Sequence, residues 1–274
     1  MKKILLAVAE NKLPEGAFEF IRQLNEINPV MVTGVFLREI VYTFDPPFSY
    51  YGMVGGTTFS AETEAIVMED IQKRITWFEK SCQTNGIEHR IHNDSDDLVV
   101  SELVKETRFS DLLVVSAEAF YHLSETTEPE GYLKSILHLA ECPVLIVPNK
   151  FNFPEKTVLT YDGSESSVYA IKQFSYVLNE FCNKEAVVVF EASQEKEMPD
   201  AVLIHELAAR HFDAPAFLLL HKDMLRLSAW IKGLQSPILV AGSYSRSDFS
   251  ELFKKSFVSK IVRDHNMPVF IAHK

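Results

Sequence analysis

Gly242, Ser245, Arg246, Lys255 and Ser256 fall in one stretch, PILVAGSYSRSDFSELFKKSFVSKIV, at residues 237–262. An apolar run ends at Gly242, small and polar residues follow, and a helical pattern starts near Ser256. A strand that turns through small residues into a helix is suited to holding phosphate. The uncapped N–H groups of the helix's first turn and its dipole both favour an anion. Ser256 has two readings at that helix start, a plain N-cap hydroxyl or a phosphate contact. Arg246 and Lys255 are the nearest cationic candidates. A second turn, Asp162-Gly163-Ser164, also follows an apolar run. An Asp at the carboxyl end of a parallel strand stands where ligands bind in open α/β sheets. Its other reading is to cap the helix that follows.

Other residue types capable of chemistry are not spaced for it. His89 and His92 lie three apart on a strand pattern and face opposite ways; His205 and His211 lie six apart on a helix pattern and diverge. Neither pair has metal-ligand spacing, and they read as satisfied surface groups. The chain has no G-x-S-x-G elbow and no HExxH. Cys82, Cys142 and Cys182 share no CxxC spacing and are odd in number. A disulfide framework is not expected, which points to a reducing cytoplasm.

The elements that must position these residues are written twice. In the first half, strand patterns at KKILLAVA, VMVTGVFL, GIEHRI, DLLVVSA and CPVLIVP alternate with helical periodicity. In the second, KTVLTYD, AVVVFEA, APAFLLL, PILVAGS and MPVFIAHK do the same, with Ser164 at the cap of the first helix. Continuous apolar strands separated by helices predict parallel sheets covered on both faces. The expected organisation is one domain over residues 1–149 and another over 155–274, joined by the polar, Pro-containing NKFNFPEK. The closing strands, ECPVLIVP and NMPVFIAH, are nearly the same phrase. Both are apolar and terminal, so they are expected to pair with each other rather than leave sticky edges.

Composition bounds the partners. The chain has 274 residues, 47% hydrophobic and 24% charged, with a formal net charge of −11. Nucleic-acid binding needs clustered Lys and Arg, and only small groups such as Lys254-Lys255 occur. No apolar run approaches the ~18 residues that cross a membrane. The N-terminal apolar stretch is too short for a signal peptide and reads as a buried strand. Residues 42–59, YTFDPPFSYYGMVGGTTF, have no counterpart in the second half. So long an aromatic insert is a flap over its own domain or a contact surface for the other half or a second chain.

The plan resembles the universal stress protein family in its tandem two-domain form. The resemblance covers essentially the whole chain. It rests on VLTYDGSESSVYAI at residues 158–171, on the two closing strands with their preceding Pro, and on the loop from Gly242. It implies two tandem doubly wound five-stranded parallel-sheet domains, adenine nucleotide alpha hydrolase-like, paired through their last strands as a pseudo-dimer. Some family members bind ATP or AMP and others bind no nucleotide. The nucleotide binders carry Gly-x-x-Gly, nine residues, then Gly-Ser or Gly-Thr. Gly242 matches the first glycine, Ser245 stands at the second, Lys255 replaces the third and Ser256 matches the hydroxyl. Asp162, by resemblance, faces the adenosine end of the nucleotide or its Mg2+.

The two copies have not kept the pattern equally. Ala9, Glu10 and Asn11 stand where Asp162, Gly163 and Ser164 stand in the second half, and Ser116 replaces Gly242. Glu118, Glu125, Glu128 and Glu130 add negative charge to the first loop. The first half is therefore expected to lack a standard triphosphate site. The second is expected to bind ATP or AMP with Mg2+ weakly, or no nucleotide, since two of three glycines are gone. A regulatory stress-response binding protein is the favoured class; a weak ATPase or other nucleotide-using enzyme is the alternative. A homodimer stays open beside the internal pairing of the halves.

Overall fold

The computed structural model describes residues 1–9, 13–37, 61–92, 100–118, 139–192, 197–221, 227–242 and 267–272. In chain order the elements are β1 (Lys2–Ala9), α1 (Glu15–Ile27), β2 (Val30–Leu37), α2 (Ala61–Thr84), β3 (Glu88–His92), α3 (Val100–Thr107), β4 (Leu112–Ser116) and β5 (Val144–Val147). Then follow β6 (Lys156–Thr160), α4 (Glu165–Val177), a 3-10 turn (Asn179–Phe181), β7 (Glu185–Ala192), α5 (Ala201–His211), β8 (Ala216–His221), α6 (Leu227–Ile231), β9 (Pro237–Gly242) and β10 (Val269–Ala272). The aromatic insert at 42–59, residues 132–138 of the helix expected from YLKSILHLAE (132–141), and the helix expected over 256–266 lie outside the described residues.

The ten strands of the described residues form one sheet in the order β3-β2-β1-β4-β5-β10-β9-β6-β7-β8. Each run of five follows the same doubly wound plan. Neighbours are parallel except at the centre, where β10 runs antiparallel to β5 with Val269 beside Ile146, Phe270 beside Leu145 and Ile271 beside Val144. The mixed α/β class read from the alternating pattern is therefore the observed one.

The strands are apolar throughout because both faces are covered. Ile4, Leu6 and Val8 of β1 point to one face and Leu5 and Ala7 to the other, as the two-residue period of a strand requires. Buried residues of α1, α2, α4 and α5 pack on the first face; Leu103 of α3 and Leu227 and Ile231 of α6 pack on the second. The first core runs without a break across both halves. Phe20 of α1 lies 5.9 Å from Phe151 and 5.3 Å from Phe153 between ring centroids, and both phenylalanines stand in the link between halves. Phe153 in turn packs on Phe181, and Phe181 on Phe174 of α4. A polar tie sits beside this cluster: Lys2 pairs with Glu180, whose side chain is 5% exposed, and Asn28 donates to the same carboxylate.

Several boundaries differ from the periodicity. The helical pattern from Ser164 predicts a helix reaching Cys182, but α4 stops at Val177 and a 3-10 turn follows. That break turns Phe181 into the aromatic cluster. PDAVLIHELAARHF, residues 199–212, reads as the second helix of the second half with Pro199 at its start; α5 begins two residues later at Ala201, after Asp200 in a left-handed conformation at φ 46°.

Candidate functional site at the carboxyl end of β6 and β9

The strand order reverses direction between β6 and β9. From β6 the chain leaves through α4 to β7 on one side, while β9 flanks β6 on the other. Such a point opens a crevice at the carboxyl ends of the strands, the general ligand position in open α/β sheets. Thr160 closes the bottom of this crevice by donating its hydroxyl to the carbonyl of Val240 at 2.8 Å.

The turn above β6 is built by its own side chains. Asp162 Oδ1 accepts the backbone N–H of Ser164 at 2.9 Å, a local turn that Asp favours. Gly163 sits at φ +82°, a left-handed conformation that strains any residue with a Cβ. A Cβ there would also come within 3.0 Å of Pro199. Ser164 is the N-cap of α4: its Oγ accepts from Ser167 N at 3.2 Å, and Ser167 Oγ donates to Ser164 O at 2.9 Å. The capping role read for this serine is thus observed, and Asp162 shapes the turn rather than capping the helix itself.

Gly242 ends β9 against the first turn of α4. A Cβ at this position would lie 2.4 Å from the carbonyl carbon of Ser166 and 2.5 Å from Ser167 N. Its φ is not in the left-handed region. The glycine is required by space, because strand end and helix backbone touch there. This packing duty is independent of any ligand.

The structure therefore brings Asp162, Gly163, Ser164 and Gly242 together around the N-terminus of α4. Ser245, Arg246, Lys255 and Ser256 lie outside the described residues. Residues that the sequence reading passed over complete the wall. Tyr161 is 4% exposed and donates its hydroxyl to the carbonyl of Pro199 at 2.9 Å. Burial pushes its phenol pKa upward, and the charges of Asp200 and Asp162 push the same way. Pro199 and Asp200 thus lean over the Asp162 turn from the end of β7's connection. The Met-Pro-Asp run before an apolar helix was the available signal, since Pro and Asp mark helix starts.

His89, His92, His205 and His211 each pack on or pair with a neighbouring side chain. His89 stands edge-on to Phe78, and His92 Nδ1 lies 2.6 Å from Glu106 Oε1. His205 stacks on Phe217, and His211 stands edge-on to Tyr176. Among the described residues no three His, Cys, Asp or Glu side chains gather as a metal cage. The cysteines are free, and burial raises Cys82 and Cys142 to about 12 and Cys182 to about 11. Thiols so protected are poor nucleophiles at neutral pH.

The fold this crevice belongs to is that of solved universal stress proteins. A universal stress protein from Archaeoglobus fulgidus DSM 4304 superposes with a TM-score of 0.70 at 12% identity, covering 100% of this chain and 96% of its own. A functionally unknown protein from Pseudomonas aeruginosa PAO1 gives 0.53 at 11% identity, over 100% and 92% of the two chains. A protein assigned as a universal stress protein from Pseudomonas aeruginosa UCBPP-PA14 gives 0.51 at 10% identity, over 100% and 93%. No family model matches the chain, and no curated protein matches it in sequence. Identities this low establish a shared fold.

Proposed function

We propose that the chain is a universal stress protein-like regulatory protein of tandem form, with domains at residues 1–149 and 155–274. Its second domain binds an adenine nucleotide weakly, ATP or AMP with Mg2+. One observation carries this reading: the Asp162 turn and the N-terminus of α4 meet Gly242 at the switch point between β6 and β9. Ser245, Arg246, Lys255 and Ser256 are assigned to the phosphates. Asp162 is assigned to the adenosine end or its cation. The full-chain likeness to universal stress protein folds supports the same reading.

Binding rather than turnover is proposed, because no residue pattern near the loop supplies a catalytic base. Calorimetric titration of the intact chain with ATP and AMP tests it. Asp162→Asn keeps an oxygen for the Ser164 N–H while removing the charge. Ser256→Ala tests the phosphate end. Gly242→Val is a poor probe of ligand binding, since its side chain would collide with the α4 backbone. Steady-state ATP hydrolysis lost in Asp162→Asn would place the protein among enzymes instead.

A further inference from the structure

The first half has the same switch point, between β1 and β4, and there the end of β4 is tied down by the chain's own side chains. Ser116 ends β4, the position that Gly242 holds at the end of β9. Its hydroxyl donates to Glu118 Oε2 at 2.9 Å, and accepts the backbone N–H of Glu118 at 3.2 Å. The other carboxylate oxygen, Glu118 Oε1, accepts the backbone N–H of Asn149 at 2.8 Å. Asn149 then turns its own Oδ1 to the N–H of Gly16, in the first turn of α1, at 3.3 Å. Gly16 permits this closeness: a Cβ there would sit 2.2 Å from Pro148 O and 2.5 Å from Asn149 Cα. The N-cap residue of α1, Pro14, makes no side-chain cap, so the Asn149 amide acts in its stead.

We propose that Glu118 is a built-in anion that plugs the first crevice. Its carboxylate takes two donors, a strand-end hydroxyl and a backbone N–H, beside a helix N-terminus. Those are the groups that would otherwise face an anionic ligand at this fold position. A second anion would have to displace a charge that is already hydrogen-bonded, and would meet its repulsion while doing so. Two residues beyond the end of β9 the second half has Tyr244, which carries no such charge. Because Asn149 begins the link between halves, the same plug holds that link to α1. The first crevice is thereby a joint, and Glu118 adds to the asymmetry that Ala9, Glu10, Asn11 and Ser116 already give the first half.

The test reads the first crevice directly and does not depend on nucleotide binding in the second. The intact chain, labelled with 15N, is titrated with inorganic phosphate while the Gly16 and Asn149 amides are followed by NMR, and their hydrogen exchange is measured. In the parent chain neither amide is expected to respond to phosphate. In Glu118→Ala the Asn149 amide is expected to exchange about tenfold faster or more, since a charge-assisted bond is lost. Both amides are then expected to shift saturably with phosphate. Ser116→Ala removes one of the two donors and should accelerate Asn149 exchange by a smaller factor. It serves in place of Glu118→Ala if that variant does not fold, and unchanged exchange there would count against the plug. Phosphate shifts at these amides in the parent chain would overturn the proposal. So would faster exchange in Glu118→Ala with no phosphate response, which would leave Glu118 a structural tie only.

Discussion

Gly163 and Gly86 both adopt a left-handed backbone, at φ +82° and +63°, but only Gly163 is also crowded, by Pro199. Alanine at Gly86 meets no atom within 4 Å and should cost the backbone strain alone, about 1 kcal/mol. Alanine at Gly163 should cost more, because Pro199 must give way as well. Urea denaturation of the two variants orders them; equal losses would mean that Pro199 does not rest on the turn. The cysteines make a second prediction at this scale. Cys82 and Cys142 are held near 12 by burial, against an ordinary value of 9.0. A raised folded pKa gives stability that is complete below the unfolded pKa and is lost as pH climbs through the folded one. The protein should therefore lose stability progressively above pH 9.0 towards about 12. At pH 8 a thiol reagent should label these two residues only as fast as the chain opens. Prompt labelling of Cys82 in the native protein would contradict its burial.

Gly242 shows how a residue read for one duty serves another at the level of elements. As a member of a depleted glycine pattern it points to phosphate, yet in the fold it lets α4 rest on the end of β9. Gly242→Ala overpacks that contact and should cost about 1–3 kcal/mol, measured by denaturation without any ligand present. A neutral effect would mean that helix and strand can separate freely. The strands, the order of elements and the Ser164 cap were legible because they rest on local signals: apolar runs, helical period and a capping hydroxyl. The Tyr161–Pro199 contact and the Glu118–Asn149 tie were not, since each joins residues 38 and 31 positions apart. The early stop of α4 was hidden for a related reason: Asn179–Phe181 keeps an apolar period that would suit a helix, and tertiary demand for Phe181 in the aromatic cluster overrides it. The turn at Asp162 could be read from three adjacent letters, whereas Pro199 and Asp200, which help to wall it, arrive from β7's connection.

One continuous sheet makes the two halves mechanically a single body across β5 and β10. β5 is buried along its whole length, Val144–Val147, and so is β10, Val269–Ala272. A fragment ending at residue 149 would expose the β5 edge, an apolar template for pairing. It is expected to self-associate, read by sedimentation, while the intact chain keeps that edge satisfied internally. The Lys2–Glu180 pair adds a polar tie between the halves. Removing Lys2 leaves a carboxylate buried with Asn28 and should cost about 3 kcal/mol of stability. The two crevices of this body differ in kind, one closed by Glu118 and one bounded by the Asp162 turn, so binding should occur once per chain. The most direct measurement is a calorimetric titration of the intact protein with ATP, beside the same titration of Asp162→Asn. Weak binding with a stoichiometry of about one per chain is expected, diminished at least tenfold by the substitution, since a charge-assisted contact is lost. Absence of binding up to millimolar nucleotide, two sites per chain, or an affinity untouched by Asp162→Asn would contradict it.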